Sequence, residues 1–173
     1  LLARPDSGGA PARTGSVPTA QHNPVELATS AYRVALPAGW SVLCSGDAGY
    51  CRTWENWDRA VVREGTALEV WIDHSPQSRW EKGVGYDNIK QAARANLHTL
   101  DAFALEAVAT KTVGDRRAEE LRFSFQSPRG PARGHAFVLR ERGTYYVITG
   151  VAERAADART AARAIALTLE PVR

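Results

Sequence analysis

Asp73 and His74, in "ALEVWIDH", are the one adjacent pair in this chain with the residue types of a general base and its orienting carboxylate. Such a base needs its partner's side chain and a nucleophile within hydrogen-bond reach. The run around the pair alternates like a strand, and neighbours on a strand point to opposite faces. Two polar residues ending a strand account for the pair without chemistry. Of the other histidines, His22 lies in a polar leader, His98 lies off the apolar stripe of a helix, and His135 opens a strand run. The sequence holds no GxSxG elbow, HExxH, phosphate-binding loop or calcium loop. "GVGYDN" lacks the strand and third glycine of a dinucleotide site. Asp47 is a single carboxylate, too few for calcium. The expectation is a chain without a catalytic site, metal or cofactor.

Cys44 and Cys51 flank the glycine-rich loop of "LCSGDAGYC". A disulfide in an oxidising compartment is one reading, and two thiols or half of a shared metal site are the others. No further cysteine completes a zinc site, and the CxxC redox spacing is absent. A disulfide closing so short a loop would stabilise by about 2–3 kcal/mol.

Two groups of residues suit contacts rather than catalysis. One is aromatic: Tyr50, Trp54, Trp57, Trp71 and Trp80. Such side chains are enriched in binding hot spots and at membrane interfaces, and they also fill cores. Trp71 shares a strand face with Glu69 and Asp73, so either a helix of the chain or a partner covers it. The other group is Arg129 and Arg133 in "SPRGPARG", read as a stiff Pro/Gly-rich connection. Stiffness with positive charge suits a grip on an acidic partner or a lipid headgroup, and equally a solvated loop.

The elements that must position these residues follow from periodicity. Leu121, Phe123 and Phe125 fall two apart, as on a half-buried strand. Two apolar runs flank Arg142-Gly143 and predict a hairpin of 135–141 with 144–151. "FALEAVATKTV" is a strand ending at the turn Gly114-Asp115. Tyr32, Val34 and Leu36 alternate before the turn Pro37–Gly39, and Trp40 opens another strand. Val61 and Val62 belong to a strand, and Leu68, Val70 and Ile72 share the apolar face of the next. A helix capped by Asp87 places Ile89, Ala93, Leu97 and Leu100 on one stripe. A final helix near 156–169 places Ala158, Ala162, Ile165 and Leu169 on another, with Arg159 and Arg163 opposite, before Pro171. This is an α+β pattern: about six or seven antiparallel strands packed by two helices. Covering opposite faces, the helices would make an α/β/α sandwich.

With 173 residues the chain suffices for one domain, here 31–173. Residues 1–30 are rich in Pro, Gly, Ser and Thr and read as a flexible tether or extended arm. No apolar run is long enough to span a bilayer. The net charge is only +3, and 19 of the 22 basic residues are arginine. Those arginines alternate with Asp and Glu instead of gathering, which argues against a nucleic-acid partner.

The succession "YRVALPAGW", "ALEVWIDH", "DNIKQAARANLHTL", "GDRRAEELRFSF", "HAFVLRERGTYYVITGVA" and "ARTAARAIALTL" resembles the PsbP/Mog1-like fold family, over residues 32–169. The loop "CSGDAGYCRTWENWDR" stands outside that pattern. The resemblance implies an accessory protein. PsbP is an extrinsic lumenal subunit of a photosystem, Mog1 binds a small GTPase, and the group includes secreted lipoproteins. It supplies no catalytic residues. The expected function is a non-catalytic exported subunit docking on the extracytoplasmic face of a membrane complex, photosynthetic or respiratory, with other protein subunits and the membrane surface as partners. The alternatives are a small-molecule-binding lipoprotein with a pocket between sheet and helix, and a hydrolase with an unrecognised site.

Overall fold

The computed structural model describes residues 25–45, 59–76 and 100–172. Ten strands and one helix are placed. They are β1 (Val25–Ala28), β2 (Tyr32–Leu36), β3 (Trp40–Ser45), β4 (Arg59–Arg63), β5 (Glu69–Pro76), β6 (Ala104–Val113), β7 (Arg116–Ser127), β8 (Gly130–Glu141), β9 (Thr144–Ala152), α1 (Ala155–Thr168) and the two-residue β10 (Glu170–Pro171). The main sheet has seven strands in the order β3-β4-β5-β9-β8-β7-β6, and β1-β2-β10 form a small second sheet. Every pairing is antiparallel. The α+β class and the strand periodicity read from the sequence are therefore observed.

Turn chemistry sets the register. At the β8–β9 hairpin Arg142 and Gly143 both take positive φ, 48° and 76°. That is the twist a two-residue hairpin loop needs. It fixes Glu141 opposite Thr144 and carries the pairing through to Arg133 opposite Ala152.

One face of the main sheet is covered by α1 and the small sheet. Tyr32, Val34 and Leu36 of β2 pack there with Val70, Ile72, Phe137, Leu139, Ile148 and the helix residues Ala162 and Ile165. The helix stripe expected from spacing is buried in full: Ala158, Ala162, Ile165 and Leu169. Its small side chains let α1 approach the sheet closely. The last turn carries no basic residue of its own. Arg116, at the start of β7, supplies the charge instead, donating from Nη1 to the Leu169 carbonyl (3.0 Å) and from Nη2 to that of Ala166. It meets orphan carbonyls at the negative end of the helix dipole.

The opposite face is a second apolar cluster of Trp71, Leu121, Phe123, Phe125, Ala136, Val138, Tyr145 and Val151, joined by Leu100. Among the described residues no helix lies on it. The helix expected over 87–100 falls outside the described residues except for Leu100, so the α/β/α arrangement is described on one side only.

Two boundaries differ from expectation. Residues 25–28, assigned by composition to the arm, form β1 against β2, with Leu27 opposite Val34. Partnership with β2 outweighs a segment composition poor in large apolar groups. The "SPRGPARG" connection is not a loop. Only Pro128 and Arg129 turn, Ser127 pairs with Gly130, and β8 continues through Pro131, Ala132 and Arg133. Proline and glycine inside a strand mask it from a propensity reading. Gly134 has a specific reason to be there, because it lies opposite Phe123 and a Cβ built on it would stand 2.1 Å from the buried ring. Gly134→Ala is expected to lower stability by about 1–2 kcal/mol in chemical denaturation, with partial recovery when Phe123→Leu makes room.

Candidate functional site

The structure brings together two of the residues singled out as contacts. Glu69, at the start of β5, accepts a hydrogen bond from Trp71 Nε1 at its Oε2 (3.0 Å) and one from Arg129 Nη1 at its Oε1 (3.3 Å). Trp71 and Glu69 share a strand face, as period two requires. Arg129 arrives from the tip of the β7–β8 hairpin, sixty residues away. The latch borders a small cavity of about 80 Å³ whose walls include Trp71, Phe125, Pro128, Ala132 and Val151.

Trp71 itself is a core side chain. It is only 3% exposed and packs against Phe125, ring centroids 6.1 Å apart. Of the two covers that the sequence left open for Trp71, a partner or the chain itself, the chain supplies one: the β5 face that Trp71 shares with Glu69 and Asp73 looks into the second apolar cluster. Arg129 remains at the surface, its side chain 59% exposed.

Arg133 points to the other face of the sheet, the α1 side. With Arg122 of β7 it holds Glu106 of β6, Arg133 on Oε1 and Arg122 Nε on Oε2 (3.1 Å). Both arginine side chains are about half exposed (48% and 49%). Arg122, Arg129 and Arg133 therefore put three accessible guanidinium groups on one rigid hairpin.

Beside them is a polar group that the sequence reading did not single out. Glu120 of β7 is buried, and its Oε1 receives both Arg159 Nε from α1 and His135 Nδ1 from β8 (3.3 Å). Burial works to raise the Glu120 pKa, but the Arg159 guanidinium and then His135 outweigh it and hold the carboxyl below its ordinary value. Burial lowers the His135 pKa; Glu120 opposes this, and Arg159 and Arg122 add to it. Arg159, placed by the stripe analysis opposite the apolar face, thus reaches back to the sheet through Glu120 while its side chain stays 40% exposed. A signal for this group did exist: alternation in "AEELRFSF" turns Glu120 and Arg122 away from Leu121 and Phe123, and the β7–β8 register sets Arg122 opposite His135.

The Asp73–His74 pair divides as expected. Asp73 is buried beneath the second cluster, whereas the His74 ring meets Tyr32 on the opposite face at 5.9 Å. Cys44 lies in β3 with its backbone opposite Ala60. Its side chain lies outside the described residues, as do Cys51, Tyr50, Trp54, Trp57 and Trp80. An open groove of about 640 Å³ runs between the β2–β3 turn, the β4–β5 turn and the first half of α1, bordered by Trp40, Arg63, Leu68, Arg154, Ala161 and Ala164 among others. Among the described residues no group of three metal-ligating side chains converges, and no helix is long and apolar enough to cross a membrane.

No protein-family model and no curated protein matches the sequence. Solved structures do match. Cyanobacterial PsbP (CyanoP) from Synechocystis superposes with a TM-score of 0.60 at 10% identity, over 95% of this chain and 98% of that one. LpqN of Mycobacterium tuberculosis, a protein involved in cell envelope biogenesis, gives 0.50 at 13% identity, over 82% and 83%. A Bacteroides thetaiotaomicron protein gives 0.55 at 12% identity, and there the match covers 82% of this chain but only 45% of the other. Identities this low establish shape and not activity. The chain has a PsbP/Mog1-like α+β fold.

Proposed function

We propose that this chain is a non-catalytic, exported accessory subunit that docks on the extracytoplasmic face of a membrane protein complex, photosynthetic or respiratory. The observation that carries this reading is the β7–β8 hairpin, which presents Arg122 and Arg133 from paired strands and Arg129 from its two-residue tip instead of a loose loop. Guanidinium groups held on a rigid element lose little freedom on binding and suit bidentate capture of carboxylates or phosphates. The accessory role implied by the fold family supports it, as analogy.

The test uses the full chain and solubilised membranes from its own source. Co-migration with a defined large complex is expected, weakening as salt rises. Arg129→Gln combined with Arg133→Gln should weaken that association about tenfold or more while the melting curve stays close to wild type. Recovery of the free monomer alone would count against the proposal.

The open groove beside α1 favours a second reading, a small-molecule-binding lipoprotein. A bulky substitution at its wall, Ala164→Trp, should leave docking intact under the first reading and block ligand uptake under the second.

A further inference from the structure

His135 is an unusual buried group. It keeps only 6% of its exposure, and among the described residues its single hydrogen-bonding contact is Nδ1 with Glu120. A ring nitrogen facing a carboxylate carries the hydrogen, so the neutral ring presents a lone pair at Nε2. Among the described residues Nε2 has no hydrogen-bonding partner, and it is not sealed from water. It therefore opens toward solvent.

The groups around it are cationic. Arg122 stands directly across from His135 in the β7–β8 register. Arg159 reaches over from α1 to Glu120, and Arg133 lies two residues along β8 with Glu106 of β6. Gly150, opposite His135 on β9, adds no charge. Arg122 and Arg159 each use Nε in their ion pairs, and among the described residues their Nη donors hold no hydrogen bond. Three guanidinium groups face two carboxylates, leaving one positive charge. A proton on His135 would make it two, and would turn Nε2 from acceptor to donor.

We infer that Arg122, Arg159 and His135 form a binding site for a divalent oxyanion, a sulfate or phosphate group, and that the anion enters together with one proton taken up at His135. The charges then balance, and the protonated imidazole becomes a donor beside two guanidinium groups. Planar guanidinium groups are suited to such an oxyanion. This site shares Arg122 with the docking surface above, but its reading does not depend on that one.

The experiment is an NMR titration of the His135 imidazole in the full chain with sodium sulfate, against sodium chloride at equal ionic strength. Sulfate is expected to raise the imidazole pKa by about one unit, and its binding to tighten about tenfold between about pH 7.5 and about pH 5.5. Arg122→Gln, a half-exposed position, should weaken sulfate about tenfold with the fold intact. Arg159→Lys, which keeps the charge and loses the fork, should weaken it less. His135→Gln should still bind but without the pH dependence. A sulfate response no greater than that of chloride would overturn the inference, and so would unchanged pH dependence in His135→Gln. Vesicles separate the sources of the ligand. Retention on phosphatidic acid vesicles, but not on phosphatidylcholine, with displacement by sulfate assigns a lipid headgroup. No retention with sulfate binding intact assigns a soluble anion.

Discussion

Replacing Gly150 with alanine is expected to destabilise the protein by about 3 kcal/mol or more, at the upper end for overpacking. A Cβ at this position would stand 1.9 Å from the Ala158 carbonyl oxygen, 2.8 Å from its carbon and 3.1 Å from the Ala162 Cβ. Two of these three atoms are backbone, and no rotamer change can clear them. The helix would have to lift from β9, exposing the stripe of Ala158, Ala162 and Ile165, all fully buried. Because α1 also closes against β2 and β8, the cost would spread beyond one contact. The urea midpoint should fall sharply for Gly150→Ala. A midpoint within experimental error of wild type would mean that α1 does not lie this close to the sheet. Gly65→Ala is a useful control: it too removes a glycine, with φ +72°, but a Cβ there meets nothing within 4 Å. Its cost should be the smaller one of a left-handed backbone, about 1–2 kcal/mol.

Gly150 also marks how far the sequence could be read. In "YYVITGVA" it is one small residue within a strand pattern, and a conformational or packing role looks the same from the sequence. Local signals were legible wherever the physics was local. Leu121, Phe123 and Phe125 alternate because one face of β7 is buried. Arg142-Gly143 turns because both residues take positive φ. Ala158, Ala162, Ile165 and Leu169 fall on one stripe because a helix has 3.6 residues per turn. The candidate site was less legible because its partners are remote. Glu69 and Arg129 are sixty residues apart, and Glu120 and Arg159 thirty-nine. Arg159 reads simply as opposite the apolar stripe, because the helical wheel gives its angle but not which sheet edge lies beneath. Gly130 to Gly134 looked like a loop because the ring of Phe123, which fills the space above Gly134, belongs to the neighbouring strand.

Removing the buried carboxylate at Glu120 should have the second-largest effect, and it should depend on pH. Glu120→Ala strands His135 and Arg159, which share its Oε1. Breaking a buried ion pair costs about 3–5 kcal/mol. Here Arg159 is 40% exposed and can turn to water, so roughly 2 kcal/mol at neutral pH is the expectation. In the wild type, both members of the pair make acid destabilising. The Glu120 pKa is held below its ordinary 4.5, by Arg159 first and His135 second against the opposing pull of burial. Its contribution is therefore complete above about 4.5 and is lost as pH falls through the lowered folded value. The His135 pKa is below its ordinary 6.5, chiefly through burial. Between the folded value and 6.5 the unfolded chain holds a proton that the folded chain does not, so stability rises with pH across that window and is lost on acidification. Wild type should therefore lose stability in two stages, the first just below pH 6.5 and the second below pH 4.5. His135→Gln should flatten the first stage and leave the second. Stability that was flat from pH 7 to 5 in wild type, or a first stage unchanged in His135→Gln, would show that the folded chain does not hold this imidazole neutral.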